Sequence, residues 1–139
     1  MLFPKKVKYR KWHTMRKNPD KVGAATRGVF VSFGSHGLKA MTPGRITSNQ
    51  IESARKAITK AIGKTGRVWI RIFPDMPFTK KPAEVKMGKG KGDIEGYHAR
   101  VLAGQVMFEV DGATSAVAHE SLRKGGAKMP VKTKIVVRQ

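Results

Sequence analysis

Lysine and glycine occur together in two short segments of this 139-residue chain, and proteins use that combination to bind phosphate groups. One segment is Gly63-Lys64-Thr65, and the other is 88–92, in which glycine and lysine alternate. The first is not a nucleotide-binding P-loop, because Ile58 stands where that motif requires its first glycine. The second is not a dinucleotide-binding fingerprint, because no strand is predicted directly before it and no helix directly after it. We therefore predict a flexible loop whose backbone can approach crowded phosphates closely.

The other residue types that can do chemistry do not form a catalytic or metal-binding set. Asp93 and Glu95 lie two residues apart, as do Glu109 and Asp111, and in a strand each pair would share one face. With so few acids among so many bases, they are more simply ion-pair partners, and no serine stands out beside a histidine. Cysteine is absent, and the four histidines are scattered: His13, His36, His98 and His119. We predict no enzymatic activity, no catalytic residue, no metal site and no cofactor.

Positive charge is the dominant feature of the composition. Twenty-nine Lys and Arg against nine Asp and Glu leave a net charge of +20, which repels itself in a compact monomer unless a polyanion neutralises it. Nucleic acid is the expected partner, since each neutralised phosphate releases a counterion. A membrane partner would require a broad basic amphipathic helix or a lipid signal, and neither is evident. We expect a soluble intracellular protein; a transit peptide within residues 1–17 remains an open alternative.

The first 28 residues are predicted to form a basic N-terminal arm. Only one acid, Asp20, lies in this stretch, and Asn18-Pro19 is a turn signal. Tyr9 and Trp12 alternate with the charges, and they either stack on bases or anchor the arm to the core. The arm residues predicted to contact nucleic acid are Lys5, Lys6, Lys8, Arg10, Lys11, Arg16 and Lys17.

Residues 29–139 are predicted to form a single α+β domain, with two helices packed on mostly antiparallel strands. A capping-box arrangement at Thr47-Ser48-Asn49-Gln50 predicts the start of the first helix, and Gly66 its end. The second helix is expected from Thr114 or Ser115 to about Lys124, before Gly125-Gly126. We expect a hairpin of strands 29–33 and 38–41, and a second pairing about Gly104. The predicted strands are 29–33, 38–41, 67–73, 98–103, 105–111 and 132–138.

The first predicted helix combines an apolar face with a basic one. Lys56, Lys60 and Lys64 follow one another at intervals of one turn, away from the apolar positions. Rows of lysine on a helix are often only a solvated face, but the net charge favours phosphate contact. In strand 67–73, Trp69 and Arg71 share a face that either packs in the protein or meets nucleic acid. The contacts predicted here are Arg55, Lys56, Lys60, Lys64 and Arg71.

Residues 74–96 are predicted to form an extended loop, with at most a short strand near Val85. Prolines and glycines interrupt the segment throughout, and so long a connection in a small domain is uncommon unless it serves as a binding loop. The residues of this loop that we single out are Lys80, Lys81, Lys86, Met87, Gly88, Lys89, Gly90, Lys91 and Gly92.

A series of motifs along almost the whole chain has the order and spacing of one known family. In chain order they are Pro4-Lys5, Tyr9-Arg10-Lys11, Phe33-Gly34-Ser35, Gly37-Leu38, Gln50-Ile51-Glu52, Ala54-Arg55, the segment 66–74 (GRVWIRIFP), Lys80-Lys81-Pro82 and the segment 87–92 (MGKGKG). The sequence thereby resembles the bacterial-type large-subunit ribosomal protein L-sixteen family. One departure is Lys86, where the family usually has arginine; lysine keeps the charge but lacks the planar fork of a guanidinium.

The resemblance implies a fold, partners and a location that the composition alone does not. It implies a hammerhead-like α+β domain that binds large-subunit ribosomal RNA, helps to form the aminoacyl transfer RNA site and supports late subunit assembly. The loop 87–92 would lie near the transfer RNA and the peptidyl transferase centre. Neighbouring ribosomal proteins are further expected partners. The expected location is the large ribosomal subunit, in the cytoplasm or in an organelle.

Overall fold

A computed structural model describes residues 1–14 and 18–139, and it contains two α-helices and seven strands within those residues. The chain order is β1 (His36–Ala40), β2 (Gly44–Thr47), α1 (Ser48–Ile62), β3 (Arg67–Ile70), β4 (Met76–Lys80), β5 (Asp93–Val101), β6 (Val106–Asp111), α2 (Ser115–Gly126) and β7 (Thr133–Val137), with a short 3-10 turn at Pro19–Lys21.

The strands form two antiparallel sheets. The four-stranded sheet has the order β3-β6-β1-β7, and the three-stranded sheet has the order β2-β5-β4. Every neighbouring pair is antiparallel. Two helices with antiparallel sheets make this an α+β fold, as the sequence predicted.

The first helix begins where its capping residues predicted. The amide of Gln50 donates to the Thr47 hydroxyl over 3.3 Å, and the amide of Thr47 donates to the Gln50 side-chain oxygen over 2.9 Å. This reciprocal pair satisfies two amides that the helix itself leaves free. The helix ends at Ile62, four residues before Gly66, because Gly63 turns the chain with a φ of 84°. Lys64 therefore lies beyond the end of α1.

The core lies between the two helices and one face of the four-stranded sheet, and it also includes residues of β2 and β5 from the three-stranded sheet. Directly paired residues of antiparallel strands share a face, so Leu38 of β1, Phe108 of β6 and Ile70 of β3 lie on the same side. Leu38 and Phe108 are buried in the cluster that also contains Ile58 of α1 and Leu122 of α2. This face is thus covered by helices, while Trp69 and Glu109 lie on the opposite face.

The second helix is longer than predicted because its two glycines belong to it. The expected end before Gly125-Gly126 is wrong, since α2 runs to Gly126. A methyl group at Gly125 would lie 2.5 Å from the Cδ1 and Cγ1 atoms of Ile58. Gly125 therefore permits close packing of α2 on α1.

The predicted strand 29–33 is wrong, and so is the hairpin built on it. Segment 29–33 is not part of either sheet. It lies against the helix-free face of the four-stranded sheet. The Gly28 carbonyl accepts from the Val106 amide over 2.8 Å, and the Ser35 amide donates to the Val110 carbonyl over 3.0 Å. The segment consequently covers β6, which is buried from Val106 through Val110 on both faces.

The predicted pairing of 98–103 with 105–111 is also wrong, because β5 and β6 belong to different sheets. The chain passes from one sheet to the other at Gly104, whose φ is 96°. β4 runs from Met76 to Lys80 and β5 begins at Asp93, so residues 74–75 and 81–92 are the parts of the expected segment 74–96 that are irregular. β3 ends at Ile70 rather than at residue 73.

Candidate nucleic-acid interface

The lysine-rich and glycine-rich segment is the tip of a hairpin formed by β4 and β5. These strands pair as far as Lys80 and Asp93, and residues 82–91 between them are all exposed. Gly88, Lys89 and Gly90 have φ values of 105°, 56° and 100°, a left-handed conformation that glycine adopts without steric cost. Met87 is 94% exposed. The tip therefore offers backbone and lysine charge with little side-chain bulk.

Contacts at the base of this loop determine its shape. The Lys81 ammonium donates to the Gly88 carbonyl across the loop. A methyl group at Gly92 would lie 3.0 Å from the Lys80 carbonyl oxygen, so the two sides of the hairpin lie close together there. Lys80 also lies 3.8 Å from Glu95. Lys86 and Lys89, by contrast, are exposed at the tip.

The N-terminal arm contacts the base of the loop. The Lys11 ammonium lies 3.8 Å from the Asp93 carboxylate and donates to the Lys91 carbonyl over 3.5 Å. In return, the Lys91 ammonium donates to the Trp12 carbonyl. The arm and the loop thus form one continuous basic surface, which we call the arm–loop surface: residues 5–11 and 80–92. The sequence predicted both parts but gave no indication that they touch.

Most of the predicted arm contacts are exposed. Lys5, Lys6, Lys8 and Arg10 are exposed, and Lys11 is half-buried against the loop. Tyr9 is 64% exposed, with the Lys8 ammonium 5.5 Å from its ring centre, whereas Leu2 packs on the core. Arg16 and Lys17 were also predicted to be contacts, and they lie outside the described residues.

The lysines of α1 form a second basic area, away from the buried face of the helix. Lys56 and Lys60 are exposed on α1, and Lys64 is exposed just after it. Arg55 differs from these lysines, because its guanidinium forms two hydrogen bonds with Glu52, of 2.5 and 3.1 Å. The bond to the Arg55 guanidinium lowers the pKa of Glu52. Arg55 therefore already has an anionic partner within the protein.

Arg71 lies inside the protein rather than on an open surface. Its side chain is 18% exposed, and its guanidinium donates to Glu109 over 2.9 Å and to the Phe30 carbonyl over 2.5 Å. The guanidinium carbon also lies 5.6 Å from the centre of the Phe33 ring. Arg71 was predicted to contact nucleic acid, and these contacts direct most of its donors inward.

Glu109 is the fully buried acid at the centre of this network. Its carboxylate accepts from the amides of Ser32, Phe33 and Gly34 over 2.9, 2.6 and 2.9 Å, and from Arg71. Burial raises the pKa of Glu109, but the three amides and the guanidinium outweigh burial, so the net pKa is lowered. The carboxylate is therefore ionised and holds the segment 32–34 on the sheet. Sequence reasoning missed this role, although an acid within the apolar run of β6 is an indication of it.

The histidines do not come together with other ligands. His36 and His119 have ring centres 5.4 Å apart, while His98 is buried beside Met76 and Phe78. Among residues 1–14 and 18–139, no group of three His, Cys, Asp or Glu side chains is arranged to hold a metal ion. None of the helices in that same part of the chain is both long and apolar enough to span a membrane.

An α+β fold with a basic hairpin loop, a basic arm attached to that loop and a basic helix face is typical of proteins that bind nucleic acid. Comparison with known families makes the assignment specific. Residues 4–136 match the family described as ribosomal protein L16p/L10e, so the chain belongs to that family. The resemblance noted from the motifs is thereby confirmed.

Several bacterial proteins are similar to this chain along nearly its entire length. The large ribosomal subunit protein uL16 of Caulobacter vibrioides is 53% identical over 138 residues, which cover 99% of this chain and 94% of the relative. The uL16 protein of Maricaulis maris is 54% identical over 138 residues, which cover 99% of this chain and 98% of the relative. The uL16 protein of Cereibacter sphaeroides is 51% identical over 139 residues, which cover 100% of this chain and 98% of the relative.

Proposed function

We propose that this chain is a structural constituent of the large ribosomal subunit that binds ribosomal RNA and helps to form the aminoacyl transfer RNA site near the peptidyl transferase centre. Its family and the names of its relatives support the first part. The distribution of charge supports the second. In this proposal the arm–loop surface and the α1 lysines contact RNA, and the chain has no catalytic role.

The contact between arm and loop is the observation that carries the proposal. The Lys11 ammonium donates to the Lys91 carbonyl, and the Lys91 ammonium donates to the Trp12 carbonyl, so the arm and the loop are joined at the base of the loop. In this proposal the cations of the arm and those of the loop therefore bind one polyanion together. RNA phosphates lie only a few ångströms apart along a strand, and a continuous row of ammonium groups matches that spacing better than two separate patches. The arm residues 5–11 and the loop base would then bind the same region of ribosomal RNA.

The α1 lysines provide a second point of attachment. Lys56 and Lys60 are one turn apart on an exposed helix face, and neither lies within salt-bridge distance of an acid in the described part of the chain. Their charge is therefore available to phosphates. Lys64 follows just beyond the helix. Two separated attachments would fix the orientation of the protein on RNA, whereas one would not.

The loop tip is suited to the more crowded contact with transfer RNA. Gly88 and Gly90 carry no side chain, and no atom lies within 4 Å of a methyl group placed at either, so another backbone can come close while Lys89 and Lys91 supply positive charge. Met87 extends into solvent and can pack against a ribose or a base. In Lys86 a compact ammonium replaces the fork of an arginine, so its contact would be to a single phosphate.

The same proposal includes a role in late assembly of the subunit. A chain with a net charge of +20 neutralises several phosphates and so lets RNA helices pack together. Neighbouring ribosomal proteins are proposed as further partners. We place the chain in the large subunit, in the cytoplasm or in an organelle.

Crosslinking in intact ribosomes that contain the chain tests the proposal. A photoreactive lysine analogue is placed at residue 89 or 91, and a matched one at residue 60, with transfer RNA bound in the aminoacyl site. We expect positions 89 and 91 to crosslink to that transfer RNA and position 60 to crosslink only to ribosomal RNA.

The outcomes separate the parts of the proposal. Crosslinks from 89 and 91 to ribosomal RNA alone would contradict the role of the loop at the transfer RNA. An absence of RNA crosslinks at all three positions would contradict the whole proposal.

A further inference from the structure

An aromatic pair, exposed Phe33 and half-buried Trp69, lies on the helix-free face of the four-stranded sheet, apart from the lysines of the proposed RNA surfaces. The Phe33 ring stacks on Trp69, with ring centres 6.4 Å apart and an angle of 20° between the planes. Phe33 is nevertheless 57% exposed. The Phe33 ring thus lies nearly parallel to the Trp69 indole, and more than half of its surface faces solvent.

The backbone that carries this ring is held firmly in place. The amides of Ser32, Phe33 and Gly34 all donate to the buried Glu109 carboxylate. At Gly34 a methyl group would lie 2.4 Å from the Val110 carbonyl oxygen, so the segment lies directly on β6. The Phe33 side chain is more than half exposed and contributes little to the core. Its backbone is nevertheless held by three hydrogen bonds to a buried carboxylate.

Two guanidinium groups lie near the aromatic pair, and that of Arg71 is already paired with Glu109. The Arg71 guanidinium carbon is 5.6 Å from the centre of the Phe33 ring. Arg67 lies two residues before Trp69 in β3, so both side chains are on the same face of the sheet, and Arg67 is exposed. An aromatic ring supported from below, with an exposed guanidinium nearby, has the elements that bind a single nucleotide: a stacking surface for the base and a cation for its phosphate.

We propose that Phe33, supported by Trp69 and flanked by Arg67 and Arg71, is a stacking site for an unpaired base of RNA. This inference rests on the proposed RNA-binding function and adds a contact of a different kind. The lysines bind phosphates of single-stranded and double-stranded RNA alike, whereas stacking requires a base that is free of its own stack. Arg67 is exposed beside the pair and the chain carries a net charge of +20, which favours RNA over an apolar protein segment as the occupant.

Binding of the full-length chain to three RNAs tests the site. The probes are a short single-stranded oligouridylate, an abasic strand with the same number of phosphates, and an RNA duplex. We expect Phe33→Leu to weaken binding of the oligouridylate about tenfold and to leave binding of the abasic strand and the duplex unchanged. Phe33→Tyr retains a ring and should bind all three as the original chain does. Lys60→Ala is the matched charge control and should weaken binding of every probe.

A fluorescence measurement avoids changing the ring at all. The chain has two tryptophans, so Trp12→Phe leaves Trp69 as the only indole. We expect oligouridylate to quench Trp69 emission and the abasic strand to leave it unchanged at equal occupancy.

The result that would overturn the inference is equal binding of oligouridylate by the Phe33→Leu variant and the original chain, with no quenching of Trp69. If Lys60→Ala still weakens binding in that case, the proposed function stands and the aromatic pair belongs to a protein partner. Failure of the original chain to bind any of the three RNAs would instead contradict the proposed function itself.

Discussion

Glu109 shows how one buried charge can organise a surface in a basic protein. The carboxylate is completely buried, and its partners are three consecutive amides and the guanidinium of Arg71. Because every partner is a donor, a neutral side chain at this position cannot satisfy all of them. The segment that carries Phe33 depends on this ion rather than on a strand pairing.

We expect Glu109→Gln to lower the free energy of unfolding by about 3 kcal/mol. The NH2 group of the glutamine would face N–H donors, and Arg71 would lose the negative charge beside it. Chemical denaturation of the purified chain measures the change. Glu120→Gln is the matched control: Glu120 pairs with Arg123 on the surface, and its loss should have no measurable effect. A loss at Glu109 no larger than the one at Glu120 would contradict the role assigned to the buried carboxylate.

The lowered pKa of Glu109 predicts how stability responds to acid. The unfolded chain takes up a proton at the ordinary glutamate value of about 4.3, whereas the folded chain does so only at lower pH. The contribution of Glu109 is therefore fully present at neutral pH and is lost as the pH falls through the folded value. We expect the difference in unfolding free energy between the original chain and Glu109→Gln to be constant from pH 7 to about pH 5 and to shrink below about pH 4. A difference that grows on acidification would contradict this assignment.

At the scale of elements, close packing of the two helices depends on Gly125. Alanine is the better helix former, so on propensity alone Gly125→Ala should stabilise α2. The added methyl group would, however, lie 2.5 Å from Ile58, which is fully buried in α1.

We therefore expect Gly125→Ala to lower the free energy of unfolding by about 1–3 kcal/mol, as overpacking of a core does. Thermal unfolding measures it. Gly23→Ala serves as the control, since no atom lies within 4 Å of the added methyl group, and its stability should be unchanged or slightly increased. Stabilisation by Gly125→Ala would show that α2 can move away from α1 without cost.

Sequence-based prediction succeeded for the elements in which the local residue pattern and the tertiary contacts favour the same secondary structure. The capping box at Thr47 and the apolar face of α1 both indicate a helix, and the structure contains it. The segment 29–33 has a β-branched and aromatic composition, but its backbone amides bind Glu109, a partner distant in sequence. β4 was missed because Pro77 interrupts it; proline is tolerated there since β4 is an edge strand.

Prediction of the candidate site was limited because several of its contacts join residues that are distant in sequence. Residue type alone identified the exposed lysines, because a lysine with no acid near it stays in solvent. Whether a guanidinium faces inward depends on a partner from another strand, and Arg71 is the example: its acid is 38 residues further along the chain. The contact of Lys11 with Lys91 likewise joins residues 80 positions apart, beyond the reach of any local pattern.

At the scale of the whole molecule, the internal ion pairs leave most of the positive charge without a partner. Five of the nine acids form ion pairs within the described residues: Glu52, Asp93, Glu95, Glu109 and Glu120. Many of the remaining cations lie on the arm–loop surface, among the α1 lysines and in the C-terminal part of the chain. Their mutual repulsion opposes the compact fold, so a polyanion that binds them also stabilises the protein.

Sedimentation of the full-length chain with ribosomal particles tests most directly the claim that it is held on the large subunit by its charge. We predict that the chain migrates with large subunits and remains with them through a moderate salt wash, because many phosphate contacts have to be lost before it dissociates. Recovery only in the free soluble pool, away from any large subunit, would contradict the account.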